Sequence, residues 1–333
     1  MKNLYLIVIM LIIGTLNTQS QTTFIKEYHN YTIDTNIRVV VSYKGYFYCL
    51  KSNHEIFIVD YKTNKIDSLY QDNSKNIKLE DIYVKNDTLI GFGNYTRFYL
   101  NTNNNWTTLQ KPFSPEYFYQ DDNYYIKSTC SGEWGGSLYF IDKQTKKQYE
   151  CICTCAINVH KQDGKYLITA SLAHMSGFTN IFQIEDPLKL KFHNQDSIKK
   201  AAVKRKKLQP MYIGTIGDDE SKSIKGTKQL IDSIGITCEM SFEYNSKIYY
   251  LINKGPSWKT KDYNFHVYID TLKDFKLTPL EDMTNLNIFN YNSNANRKGD
   301  IGQTSTFSND TNTGFVYFGN NKFVVYSFLK KHN

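Results

Sequence analysis

The sequence predicts an all-β fold, a β-propeller of six or seven four-stranded blades, and three observations carry that reading. First, one unit recurs: a polar turn, an aromatic-rich strand, a small-residue loop, then a second strand ending in a polar turn. It is written Lys44-Gly45-Tyr46-Phe47-Tyr48 then Ile56-Phe57-Ile58-Val59-Asp60, and again Asn123-Tyr124-Tyr125-Ile126 then Leu138-Tyr139-Phe140-Ile141-Asp142. Second, further copies begin near Asn86, Gly164, Ser246 and Thr313, so successive starts lie 42, 37, 41, 82 and 67 residues apart, and 82 is twice 41. A period of about forty residues is that of a four-stranded blade. Third, aromatic residues make up 15% of the chain, with 27 Tyr and 20 Phe against only 6 Pro, a composition suited to pleated, half-buried surfaces. A β-sandwich also alternates strands with turns, but it requires no such period.

The elements follow in chain order. Lys2 and the apolar run Leu4 to Ile13 read as a secretory signal over residues 1–20, too short to span a bilayer. Thr18-Gln19-Ser20 offers the small residues a signal peptidase reads, and the mature chain is expected to start near Gln21. No second apolar run reaches spanning length, so no membrane span is expected after cleavage. Residues 21–333 then form a single propeller domain, with no Pro/Gly/Ser linker dividing it. Innermost strands are expected at Ile37 to Ser42, Leu79 to Val84, Glu116 to Tyr119, Ala156 to His160 and Thr237 to Tyr244. Turns such as Asn86-Asp87, Asp121-Asp122-Asn123 and Gln162-Asp163-Gly164 close the hairpins that follow, because Asn, Asp and Gly tolerate left-handed backbone. Outermost strands are expected at Lys65 to Tyr70 and Lys147 to Ile152. The pattern weakens from Lys199 to Ile236, which reads as a partly helical insertion within about 190–236, and Gly226 to Ser233 looks helical or irregular.

The net charge of +8 is local: Lys199, Lys200, Lys204, Arg205, Lys206 and Lys207 supply six of the charges inside that insertion. A polyanion groove needs basic residues spread over a surface and mixed with stacking aromatics, so the run reads as a solvated face and no nucleic-acid partner is expected.

The Gly164-Lys165-Tyr166-Leu167-Ile168 turn and strand, with the Ile141-Asp142-Lys143-Gln144-Thr145 strand and turn, resemble secreted bacterial β-propeller proteins of the broad WD40-like and YVTN-like repeat type. The Gly-His and Trp-Asp pairs of true WD40 repeats are missing. The resemblance implies a rigid disc presenting loops to a partner or ligand, and a secreted or periplasmic location.

In such a disc the loops between the second and third strands of each blade gather on one face. They hold Ser52-Asn53-His54-Glu55, Gly93-Asn94-Tyr95-Thr96-Arg97, Ser131-Gly132-Glu133-Trp134-Gly135-Gly136, Ala173-His174-Met175-Ser176-Gly177 and Lys254-Gly255-Pro256-Ser257-Trp258-Lys259. Two of them align without a gap at a shift of 41: Glu133 with His174, Trp134 with Met175, Gly136 with Gly177. Equivalent positions on adjacent blades are neighbours, so a carboxylate and an imidazole are expected to face each other. Such a pair can hold a ligand or pass a proton, since each partner favours the other's charged form. The expected ligand-binding residues are Glu133, Trp134, His174, Trp258, His54 and Arg97. They fit a binding scaffold for a protein or carbohydrate; the alternative is a hydrolase or lyase acting on an extracellular polymer with Glu133 and His174 as its acid/base pair.

An even count of six cysteines in an exported chain points to disulfides, and Cys151, Cys153 and Cys155 share one side of an extended segment. C-x-C-x-C is a poor zinc pattern, so one bridge from this cluster to Cys130 is expected rather than a metal site. Asp310-Thr311-Asn312-Thr313-Gly314 opens like a calcium loop but lacks the later acidic ligand. No phosphate-binding Gly loop, nucleophile elbow or H-E-x-x-H helix is present, and no catalytic residue, metal or cofactor is assigned.

Overall fold

Turn chemistry sets the first level of structure. Lys44-Gly45, Asn86-Asp87, Asp163-Gly164, Asn245-Ser246 and Asn320-Asn321 each place two successive residues at positive φ, the two-residue hairpin geometry that matches strand twist. At the remaining first hairpin Asp121 Oδ1 accepts from the backbone N–H groups of Asn123 and Tyr124, both at 2.9 Å.

The structure, a computed structural model, describes residues 25–70, 73–74, 77–110, 118–174, 176–194, 220–255, 264–284, 297–298, 302–308 and 311–331. Its strands form six sheets. Strand β1 (Ile25–Ile33) precedes blade one, which comprises β2 (Ile37–Tyr43), β3 (Tyr46–Lys51), β4 (Ile56–Asp60) and β5 (Lys65–Ile66). Blade two is β6 (Asp81–Lys85), β7 (Thr88–Gly93), β8 (Thr96–Leu100) and β9 (Trp106–Thr108). Blade three is β10 (Tyr119–Gln120), β11 (Tyr124–Ser128), β12 (Ser137–Asp142) and β13 (Gln148–Ile152). Blade four takes β14 (Ala156–Gln162), β15 (Lys165–Leu172) and β16 (Phe178–Ile184), then adds its outer strand only after a long excursion. That excursion lends β17 (Lys191–Phe192) to the edge of blade three before returning as β18 (Thr227–Ile234). Blade five is β19 (Ile236–Tyr244), β20 (Lys247–Lys254), β21 (His266–Lys273) and β22 (Lys276–Asp282). Blade six holds β23 (Arg297–Lys298), β24 (Gln303–Ser308), β25 (Asn312–Gly319) and β26 (Lys322–Lys330), and β1 joins it.

The count is therefore six. The helical reading of Gly226 to Ser233 is corrected: that stretch is β18, paired with β16 from Thr227↔Ile184 to Ile234↔Phe178. Its Lys, Gln and Leu suit a helix locally, but the open edge of β16 supplies a ladder that outweighs propensity. Among the described residues of 190–236 there is no helix, and the nearest helical turn before them is the 3-10 turn Pro187–Lys189. The basic run from Lys199 to Lys207 lies outside the described residues. Two other boundaries differ: among the described residues the first strand of blade three is Tyr119–Gln120, with Glu116 and Tyr117 outside them, and the outer strand of blade one is only Lys65–Ile66.

Stability comes from side chains packed between neighbouring sheets, as a blade cannot bury its own faces. Phe242, Leu251 and Ile269 of blade five meet Phe307, Val316 and Phe323 of blade six. Ile126 and Phe140 of blade three meet Tyr166 and Ile168 of blade four. At the closing seam Phe47 packs at 4.9–5.2 Å from the rings of Phe315, Tyr317 and Tyr326.

In blade six it is β24 that runs against β2: Thr304 Oγ1 donates to Val40 O (2.6 Å), Thr306 Oγ1 to Arg38 O (3.3 Å) and Ser308 Oγ to Asn36 Oδ1 (3.2 Å). The short β23, on the inner edge and antiparallel to β24, therefore runs in the same sense as β2 and takes the place of the blade's first strand. It also explains why β1 closes the ring parallel to β26, from Ile25↔Lys322 to Ile33↔Lys330, before turning directly into β2. Lys322 to Glu27 (2.6 Å) and Tyr326 Oη to Asn64 Oδ1 (2.6 Å) fasten this closure.

Candidate functional site

Two loops on neighbouring blades build the centre of the candidate site. In blade three the chain leaves β11 at Ser128, turns through a 3-10 turn at Gly132–Trp134 and enters β12 at Ser137. Gly136 must be glycine, because a Cβ there would lie 2.5 Å from Thr129 O and 2.6 Å from Cys153 O. Cys130 forms a disulfide with Cys155 across 25 residues, tying this loop to the entry of blade four. Cys49, Cys151, Cys153 and Cys238 are free and buried. Burial raises the thiol of Cys151 to about 12 and raises those of Cys49, Cys153 and Cys238 as well, so they pack as small apolar groups.

A carboxylate from the excursion completes the clamp. Glu220 accepts from Ser137 Oγ (2.5 Å), Thr129 Oγ1 (2.6 Å) and Ser131 Oγ (2.9 Å). Burial pushes this carboxyl up, but the three hydroxyl donors outweigh it and hold the group below its usual range. At the other end of the excursion Glu150, buried, takes Lys191 Nζ at 2.7 Å and His193 Nδ1 at 2.5 Å. Burial there is again outweighed by the hydrogen bonds from Lys191 and His193, and the carboxyl is lowered. Sequence reasoning missed both anchors, since Glu220 lies 83 to 91 residues from its partners. An acidic residue bordering an irregular insertion was the available signal.

In blade four the loop after β15 returns at Gly177, where φ is +70° and a Cβ would lie 2.5 Å from Thr237 Cγ2. Gly177 N–H donates to His174 O (2.8 Å), and Gly235 N–H donates to Gly177 O (3.0 Å), which seats this loop against the start of blade five. The two loops bring His174 Nδ1 to 3.2 Å from Glu133 Oε2, with the side chains 55% and 46% exposed. Trp134, 61% exposed, follows Glu133 on the same 3-10 turn.

Of the other expected site residues, His54 and Arg97 are held elsewhere. His54 Nδ1 lies 2.7 Å from Leu79 O, so the imidazole fixes its own loop to the approach of blade two. Arg97 sits inside β8, opposite Phe92, and not in the turn, which is only Asn94-Tyr95. Trp258 and Met175 lie outside the described residues, as does Asp310. In blade six the Asn320-Asn321 turn lies on the opposite side, where Asn320 Nδ2 donates to Tyr61 Oη (3.1 Å), while Ser308 at the end of β24 lies on this face, bonded to Asn36, whose carbonyl also takes Ser52 N–H. Among the described residues no group of three or more His, Cys, Asp or Glu is arranged to hold a metal ion, and no helix is long and apolar enough to cross a membrane.

No protein-family model and no curated protein sequence matches the chain. Among solved structures it is similar to the AfRom2 CNH domain, at 10% identity and a TM-score of 0.33, over 93% of this chain and 99% of that one. It is similar also to the WD40 domain of SCAP from fission yeast, at 12% identity and 0.32 over 89% and 70%. BamB from Moraxella catarrhalis gives 10% identity and 0.33 over 90% and 85%.

Proposed function

We propose that the chain is a non-catalytic, exported binding scaffold whose loop face, centred on Glu133, Trp134 and His174, recognises a protein or carbohydrate. The observation that carries this reading is an exposed indole on the turn whose half-exposed carboxylate meets the imidazole of the neighbouring blade, that turn's loop being held by the Cys130–Cys155 disulfide and the Glu220 clamp. Apolar area from the ring with direction from flanking polar groups is the chemistry of a recognition hot spot, and a preformed backbone lowers the entropic cost of docking. The open exposure of Trp134 favours a protein ligand over a small sugar. The signal-like residues 1–20, together with the disulfide, support a secreted or periplasmic location.

A random-peptide display library and a glycan array, probed with wild type and Trp134→Ala, test the reading. The expected result is an enriched peptide whose capture falls about tenfold in the variant, a loss of roughly 1.4 kcal/mol. Equal enrichment by both proteins places recognition elsewhere. The competing hydrolase or lyase reading rests on the 3.2 Å approach of His174 to Glu133. Turnover of a glycan or peptide ester that disappears in both Glu133→Gln and His174→Ala would establish it.

A further inference from the structure

On the face opposite the Glu133–His174 pair, blades one and two enclose a cavity of ≈ 530 Å³, within the size range of small-molecule sites. Its floor and wall are aromatic. Tyr43 on β2 is paired directly across from Tyr46 on β3, and Tyr48 follows two residues on, so the three side chains stand on one side of the sheet. Tyr43 and Tyr48 are buried, with rings 6.0 Å apart, while Tyr46 is half-buried. Tyr70, from the connector after β5, meets Tyr48 edge-on at 6.0 Å and forms the opposing wall.

The rim is built from neutral polar groups. Asn101 Oδ1 accepts from the N–H groups of Asn103 (2.9 Å) and Asn105 (3.0 Å), which fixes the turn between β8 and β9. Asn73 Nδ2 donates to Asn105 Oδ1 (2.9 Å) and Asn104 O (3.3 Å), locking the connector to that turn. The side chains of Thr102, Asn103 and Asn104, which also line the cavity, engage no described residue and are exposed. One cation, Lys44, and one anion, Asp67, border the cavity, so their formal charges cancel.

We propose that this cavity binds a neutral saccharide. A pyranose ring presents apolar C–H faces and a girdle of hydroxyls that both donate and accept. Tyrosine rings supply the matching apolar faces with polar tips, and free Asn amides supply paired donors and acceptors at the rim. A charged ligand would find no excess of either sign, and a purely apolar one would strip water from the amides without replacing it. The rim is held by its own hydrogen bonds before any ligand arrives, which reduces the ordering cost of binding.

The test is isothermal titration of the full chain with a panel of neutral hexasaccharides of glucose, mannose, galactose and N-acetylglucosamine, with hexagalacturonate as the charged control. At least one neutral sugar should bind with a Kd below about 1 mM. That affinity should fall about tenfold in Tyr46→Ala or in the exposed-rim variant Asn103→Ala, with Lys276→Ala, on the exposed outer strand of blade five, left at the wild-type value. No neutral sugar bound at millimolar concentration, tighter binding of hexagalacturonate than of every neutral sugar, or unchanged affinity in both cavity variants overturns the proposal. Loss of sugar affinity in Trp134→Ala with both cavity variants unaffected would move the sugar to the opposite face, and overturns it equally.

Discussion

Around the seam between blades three and four, carboxylates are satisfied: Asp121 accepts from Lys161 Nζ and Tyr166 Oη, each at 2.6 Å, and Glu150 and Glu220 have two and three side-chain donors. Between blades four and five the same chemistry is left bare. Asp270 stands directly opposite Tyr250 with neither carboxylate oxygen hydrogen-bonded among the described residues, both residues fully buried beside Ile252 and Ile248. Burial raises Asp121, Glu150 and Glu220 too, but their donors win, and Asp121 falls to about 2. At Asp270 burial wins over the attraction of Lys254 and the carboxyl rises to about 6. Glu239 in β19, buried and supported only by Thr237 Oγ1 at 3.1 Å, rises to about 8 for the same reason. The difference teaches that burial alone does not decide the charge of an acid in this ring; the donors placed around it do.

The largest effect that would break the contrast lies in the covalent clamp of the satisfied seam. Cys130→Ser with Cys155→Ser frees a loop of 25 residues and should cost about 3 kcal/mol in urea unfolding. A change near zero would mean that Glu220 and the hydroxyls hold the loop unaided. Next, Glu220→Gln weakens three charge-assisted hydrogen bonds and should cost about 2 kcal/mol at pH 7. Because the folded carboxyl lies below its unfolded value, its contribution is present above the unfolded value of 4.5 and is lost as pH falls through the depressed folded value. Unfolding midpoints of wild type and variant should therefore converge in acid, and a gap that persists there would assign the loss to shape instead of charge.

The smallest effect has the opposite sign. Asp270 is raised from 3.8 to about 6, so the folded state holds the proton more tightly and wild-type stability declines as pH climbs between those values. Asp270→Asn cannot ionise and should gain about 1–2 kcal/mol over wild type at pH 7.5, the advantage vanishing below about pH 4. Thermal melts of the two proteins across that range check it; a variant less stable at every pH would show that Asp270 is a satisfied, structural carboxylate.

Local chemistry was the part of this molecule open to reading in advance. Hairpins at Lys44-Gly45, Asn86-Asp87 and Asp163-Gly164 needed only their own residues to specify left-handed turns, and the strands beside them carried their aromatics with period two. The gapless alignment of the Glu133 and His174 loops put their side chains on neighbouring blades, and they stand 3.2 Å apart. For His54 and Arg97 loop position said nothing of where the side chain turns: one meets Leu79 O, and the other belongs to β8.

The sequence by itself determined the repeat, the turns and the four-stranded wedge, because each depends on contacts within about ten residues and on side-chain alternation that any short window displays. Only the tertiary structure decided that the ring has six members, that blade six gains a fifth strand when β1 closes it in parallel, and that Thr227–Ile234 is a strand. It also decided which acids found donors and which tyrosines surround a cavity. Those outcomes rest on partners tens to hundreds of residues apart, such as Thr304 with Val40 or Ser137 with Glu220, and no local pattern encodes which distant group will arrive.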